Sequence, residues 1–252
     1  GLIAISDSDV CDFEMEYFNL DGSTGSLCGN GARCAVKFAE LSNRLQKNET
    51  KFLSNETTYR GEILGENEIK FYFNFPKNFK FDFILNVEGQ NIKANYVDTG
   101  SPHVIIKIED VLKIQENLSP SYKNLTDFPV YTLGKEIRNH PLFTPDGTNV
   151  NFIKIKDNKI YIRTYERGVE DETFACGTGS TAAGLIAYYR YNLKPPISLI
   201  TKGGDELKVD FNFDGDKIKN LSLTGPAITV FTGEILLNRF INLGSSNGKS
   251  DI

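Results

Sequence analysis

Nowhere in these 252 residues does an uninterrupted apolar run approach the ~20 residues that a membrane-spanning helix needs. No basic start followed by an apolar stretch marks a secretory signal either, and a cytosolic protein is expected. Cysteine is scarce. Four are too few for a disulfide scaffold of this size, and Cys11, Cys28, Cys34 and Cys176 lack the paired Cys-x-x-Cys spacing of a structural zinc site, so reduced thiols and no metal are expected. Positive charge is not in excess: 28 Lys and Arg stand against 33 Asp and Glu, the formal net charge is −5, and the basic residues are scattered. Without a basic footprint, neither nucleic acid nor anionic lipid is an expected partner.

What the chain does have is 40% hydrophobic and 12% aromatic content, enough for one large or two modest domains. From Gly1 it passes straight into the apolar, strand-like Leu2-Ile3-Ala4-Ile5, which reads as the middle of a longer fold. Short stretches rich in Ile, Val, Phe, Tyr and Thr predict strands at residues 14–18, 69–75, 104–108, 160–165, 207–213 and 227–231. Two segments of small and apolar residues, 32–42 and 180–191, predict helices. Polar stretches at 114–127 and 244–252 read as a surface excursion and a frayed tail.

The most informative feature is an internal echo. Cys28-Gly29-Asn30-Gly31 recurs 148 residues later as Cys176-Gly177-Thr178-Gly179, each preceded by a strand and followed by a small-residue helix, the mark of a duplicated domain. A phosphate-cradle reading of Gly177-x-Gly179-x-x-Ala182 is weak, because the first copy has Cys34 at its third position and neither copy continues as a nucleotide-binding loop. Cys11 and Cys34 are expected to be small buried hydrophobes. Cys28 and Cys176 are different: each stands at a helix N-terminus, where free amides and the helix dipole favour a thiolate and are expected to lower the thiol pKa.

Two such thiols facing one cleft answer a specific chemical problem. Inverting a stereocentre by proton transfer needs a base on one face of the carbon and an acid on the other. The carbanion of an amino acid spreads charge onto its carboxylate, which converging amides can hold. No cofactor is then needed.

In order along the chain, Phe18-Asn19-x-Asp21-Gly22-Ser23, Cys28-Gly29-Asn30-Gly31-Ala32-Arg33-Cys34, Thr148-Asn149-x-Asn151-Phe152, Tyr165-Glu166-Arg167-Gly168 and Ala175-Cys176-Gly177-Thr178-Gly179 resemble the diaminopimelate epimerases. The resemblance spans nearly the whole sequence. It implies an α+β fold of two pseudo-symmetric domains, each a barrel-like, mostly antiparallel sheet around a central helix. Residues 1–82 with 226–238 would form the first domain, 83–225 the second, and 239–252 a disordered tail. It further implies that Cys28 and Cys176 are the acid and base, and that the amides of Gly29, Asn30, Gly177 and Thr178 hold the reacting carboxylate. Arg167 and Asn19, assisted by Asn149, would bind the distal carboxylate. Glu166 would meet a substrate ammonium and set the protonation of Cys176, and His103 would do the same for Cys28. His140 has no counterpart and is expected to be structural. The implied activity is interconversion of LL- and meso-diaminopimelate without cofactor or metal, by a cytoplasmic homodimer, in lysine and peptidoglycan synthesis.

Three departures qualify the resemblance. Ser101 stands in the substrate site where the family pattern has Asn. One extra residue lies within 168–172. The family also begins with a segment, carrying a Gly-Asn-Asp-Phe motif, that the sequence does not contain, so the first domain is expected to lack core strands and a substrate-binding Asn. A racemase for another amino acid, or a silent chain that only binds ligand or partner, is the alternative.

Overall fold

The computed structural model describes residues 1–19, 21–25, 28–113 and 120–234; the expected tail at 239–252 and the first part of the expected excursion, 114–119, lie outside them. The first half runs β1 (Leu2–Ser6), β2 (Phe13–Phe18), α1 (Gly29–Leu41), β3 (Glu49–Ser54), β4 (Thr57–Ile63) and β5 (Glu68–Tyr72). The second contains β6 (Lys77–Val87), β7 (Gln90–Asp98), β8 (Pro102–Lys107), α2 (Val130–Arg138), β9 (Asn149–Lys156), β10 (Lys159–Glu166) and β11 (Asp171–Thr173). It continues through α3 (Gly177–Tyr191), β12 (Ile197–Ile200), β13 (Glu206–Asp214) and β14 (Lys217–Pro226).

Among the described residues the strands join in one sheet, in the order β1-β2-β3-β4-β5-β14-β13-β12-β10-β9-β8-β7-β6, with β11 on the side of β10. β14 is the hinge of this order, since it pairs antiparallel with β13 and, through Ser222–Pro226, with β5. Most pairings are antiparallel. The parallel ones, β2 with β3, β8 with β9 and β10 with β12, each have a helix between the two strands. Parallel neighbours need such a crossover, because a tight turn cannot return the chain to the same end of the sheet. Each Cys-Gly turn thus occupies the same place, after a strand and at the head of a crossover helix.

Helix α1 buries Ala32, Ala35, Val36 and Ala39, a three-to-four spacing that lays one small-residue face on β4 and β5. Helix α3 is buried on every side from Gly177 to Ala187, as a helix threaded through a sheet must be. It stops where Asn192 takes the left-handed conformation, φ 59°, that Asn tolerates well. These helices share one core cluster with Phe13, Phe52, Phe71 and Leu223, while α2 covers a second around Leu85, Ile106, Phe152 and Tyr165. The fold is therefore α+β, with a mixed, mostly antiparallel sheet curled around its helices.

Three expectations need correction. Residues 227–231 are not a strand: β14 ends at Pro226, and beyond the bond from the Ala227 amide to the Asn67 carbonyl the chain leaves the sheet, with Val230 and Phe231 exposed. Alternation makes a strand only where a neighbouring edge is free to pair with it. Cys34 is exposed, since it lies with Lys37, Phe38 and Leu41 on the outer stripe of α1. Helix α2 went unforeseen because Pro129 and Gly134 interrupt a short polar region; the apolar spacing of Val130, Leu133 and Ile137 was its signal.

Candidate active site

Cys28 and Cys176 cap their helices in the same way. Each has extended backbone, φ −102° and −115°, and each Sγ accepts the amide three residues on, from Gly31 and Gly179, at 3.4 Å in both. Among the described residues the amides of Gly29, Asn30, Gly177 and Thr178 take no protein acceptor, as first-turn amides do, and they are free to bind an anion.

The two helix starts touch. A methyl group built on Gly177 would lie 3.1 Å from Gly29 Cα and 3.2 Å from the Asn30 nitrogen, so the close approach of the two backbones leaves little room for a side chain at Gly177. Asn30 ties the turns together by donating from Nδ2 to the Ala175 carbonyl at 2.8 Å, while its Oδ1 accepts from Arg33 at 3.0 Å. Buried Arg33 also donates to the Gly29 carbonyl at 3.3 Å.

Both turns open into one cavity of about 470 Å³. Asn19, Cys28, Gly29, Asn30, Ser101, Asn149, Glu166, Arg167, Cys176, Gly177 and Thr178 all line it. Gly168 and Ala175 of the motifs line it as well, and Tyr17, Thr24, Gly25, Val169 and Thr173, positions that no motif contained, complete the wall. Tyr17 follows from strand alternation, since it lies on β2 two residues from the buried Met15.

His103 does not line the cavity. It is fully buried on β8, behind Ser101, and its hydrogen bonds lead toward Cys176 rather than Cys28: Nε2 is 3.0 Å from Ser101 Oγ, Ser101 Oγ is 3.2 Å from Thr178 Oγ1, and Thr178 Oγ1 is 3.4 Å from Cys176 Sγ. Burial, with the Arg167 charge adding to it, lowers the His103 pKa to about 3, so the ring is neutral at ordinary pH.

The thiol expectation is also corrected for Cys176. Burial and the neighbouring Glu166 carboxylate push its pKa up, outweighing the Thr178 hydroxyl and Gly179 amide that stabilise the thiolate. Burial raises the Glu166 pKa too, against a hydrogen bond from Thr173 Oγ1 at 2.9 Å. Burial raises the Tyr17 pKa, with Cys28 and Glu166 across the same cavity adding to it.

Asn149 spends its amide on backbone, Nδ2 donating to the Pro102 carbonyl and Oδ1 accepting the Arg167 amide, each at 2.9 Å. It braces the segment that carries Arg167. Asn19 lies in an exposed turn, its Nδ2 donating to Ser23 Oγ at 3.0 Å. His140 accepts the Leu142 amide, a structural cap. No group of three or more His, Cys, Asp or Glu among the described residues could hold a metal ion.

Solved structures share this fold. A probable proline racemase from Agrobacterium radiobacter superposes with a TM-score of 0.70 over 95% of this chain and 76% of its own, at 15% identity. A phenazine-biosynthesis protein from Bacillus anthracis gives 0.66 over 92% and 83%, at 17% identity. At these identities the likeness is one of fold. Sequence narrows it: the profile of the diaminopimelate epimerases matches residues 95–230. The diaminopimelate epimerase of Aquifex aeolicus is 37% identical over 240 residues, covering 93% of this chain and 79% of its own length. That of Chlorobaculum tepidum is 38% identical, covering 94% and 85%. The chain belongs to the diaminopimelate epimerase family.

Proposed function

We propose that the protein interconverts LL- and meso-diaminopimelate by a two-base transfer between Cys28 and Cys176. The observation that carries this reading is that two helix-capping thiols and the four free amides beside them open into one cavity. A thiolate removes the α-proton from one face, and the electron pair left on carbon spreads into the carboxylate held by the amides. The opposite thiol then delivers its proton to the other face. One proton enters and one leaves, the two sulfurs exchange protonation states, and the reverse reaction starts from that exchanged state.

Because burial and Glu166 favour neutral Cys176, we assign Cys176 as the thiol and Cys28 as the base in the free protein. Arg167 and Asn19 receive the distal carboxylate, braced by Asn149, and Glu166 receives the ammonium group. Ser101 contributes a hydroxyl where family members carry an amide, which favours a racemase for another amino acid as the second reading.

We place the activity in the cytoplasm, in lysine and peptidoglycan synthesis, and divide the chain into residues 1–82 with 226–238 and 83–225. The packing of α1 on β4 and β5 and of α3 on β7 and β8 supports this division. A homodimer is the assembly we propose.

Incubation with LL-diaminopimelate in deuterated water tests the reading. Deuterium at one α-carbon supports it, label only with another amino acid supports the racemase, and no label with any amino acid leaves a binding protein.

A further inference from the structure

The polarity of the chain from His103 to Cys176 is set by a residue that touches neither substrate nor thiol. Asn151 lies on β9, fully buried, with its Nδ2 3.1 Å from His103 Nδ1. Its amide is oriented independently of the ring: Nδ2 donates to the Val104 carbonyl at 2.9 Å, and Oδ1 accepts from Thr164 Oγ1 at 2.9 Å. An amide nitrogen has two hydrogens and no acceptor capacity, so the second hydrogen meets His103 Nδ1, which must be bare. The neutral ring then carries its hydrogen on Nε2, aimed at Ser101 Oγ. Each hydroxyl beyond has one hydrogen and passes the direction on, Ser101 to Thr178 and Thr178 to Cys176 Sγ.

We propose that Asn151 is a positioning residue that fixes the His103 tautomer and thereby directs a one-way chain of donors, through Ser101 and Thr178, at the sulfur of Cys176. Among the described residues Cys28 Sγ has only the Gly31 amide as donor, so the chain distinguishes two otherwise matching thiols. It receives negative charge on Cys176 whenever that sulfur has given up its proton. The other ionisable groups facing this region are Glu166 at the end of β10, Cys28 at the head of α1, Tyr17 on β2, and Arg167 beside His103. None lies in the chain. Ser101, the departure from the family pattern, is the link that a hydroxyl supplies.

The proposal rests on the epimerase reading only for the role of Cys176, and it can be tested without turnover. In protein carrying ¹⁵N-labelled histidine, His140→Gln assigns the signals of the chain's two histidines. The expected spectrum has His103 Nδ1 in the pyridine-like range and Nε2 in the pyrrole-like range from pH 5 to 9; the reverse overturns the proposal in the otherwise unaltered protein. Alkylation by iodoacetamide is then followed against pH for both thiols in one sample, by peptide mass spectrometry. Ser101→Ala is expected to raise the Cys176 midpoint by about one pH unit and leave that of Cys28 in place, with Ser101→Thr restoring it. An unchanged Cys176 midpoint, or an equal shift of both thiols, overturns the relay. Because neither readout uses diaminopimelate, failure of the relay and failure of the epimerase reading are separable.

Discussion

Cys28 and Cys176 are held by the same device, an amide three residues on donating to each sulfur at 3.4 Å, yet Cys176 is buried while Cys28 is partly open to solvent. Equivalence of local geometry combined with inequality of environment is what an acid and a base built from one residue type require. If both sulfurs act, Cys28→Ala and Cys176→Ala each lower epimerisation by on the order of 10³-fold, the range of general acid–base catalysis. Full activity in either variant would falsify the two-thiol mechanism.

Shared access to one cavity makes the thiols a candidate oxidising pair. In a Cys34→Ser background, which removes the exposed thiol, mild oxidation is expected to abolish activity and consume two free thiols per chain. A reductant is expected to restore both. Loss of activity with the thiol titre unchanged would count against pairing.

Arg167 lines the cavity on a segment braced by Asn149. Arg167→Lys keeps the charge and loses the planar fork, so the KM for diaminopimelate is expected to rise about tenfold to a hundredfold with kcat little changed. A fall confined to kcat, measured by steady-state kinetics, would move Arg167 from substrate binding to the chemical step.

His103 imposes a pH dependence on stability. Its folded pKa of about 3 lies below the ordinary 6.5, so between these values the unfolded chain binds a proton that the folded chain does not. Stability from this group is complete above about pH 6.5 and is lost as pH falls toward 3, at a limiting slope of ~1.4 kcal/mol per pH unit. Urea unfolding of His103→Gln from pH 7 to pH 4 should show a shallower decline than the parent. Parallel curves would show that the ring takes up protons in the native state as well.

Gly177→Ala tests the contact of the helix starts. The added methyl meets backbone at 3.1 and 3.2 Å, where nothing flexible can give way. A loss of ~1–3 kcal/mol in stability is expected, with a larger proportional loss of kcat because the amides on the two turns separate. Wild-type turnover in this variant would show that convergence of the turns is unnecessary.

Much of the site was legible along the chain because its parts are local. A cysteine followed by glycine, then a small-residue helix, is a cap, a turn and a buried core face in twelve residues, and it occurs twice. The residues assigned from motifs other than His103 all reach one cavity. Less legible were features whose meaning depends on neighbours distant in sequence. Arg33 reads as a surface charge until Asn30 and the end of β14 close over it, and Cys34 reads as core until the outer stripe of α1 is seen.

Residue identity by itself determined which thiols have free amides beside them, since capping is decided within four residues. Only the tertiary structure decided what those thiols experience. Burial and the hydroxyl chain that starts at His103 on β8 come to Cys176 from distant segments, and the turn from β10 into β11 brings Glu166 back beside it; electrostatic energies follow distance through space and access of water rather than separation along the chain.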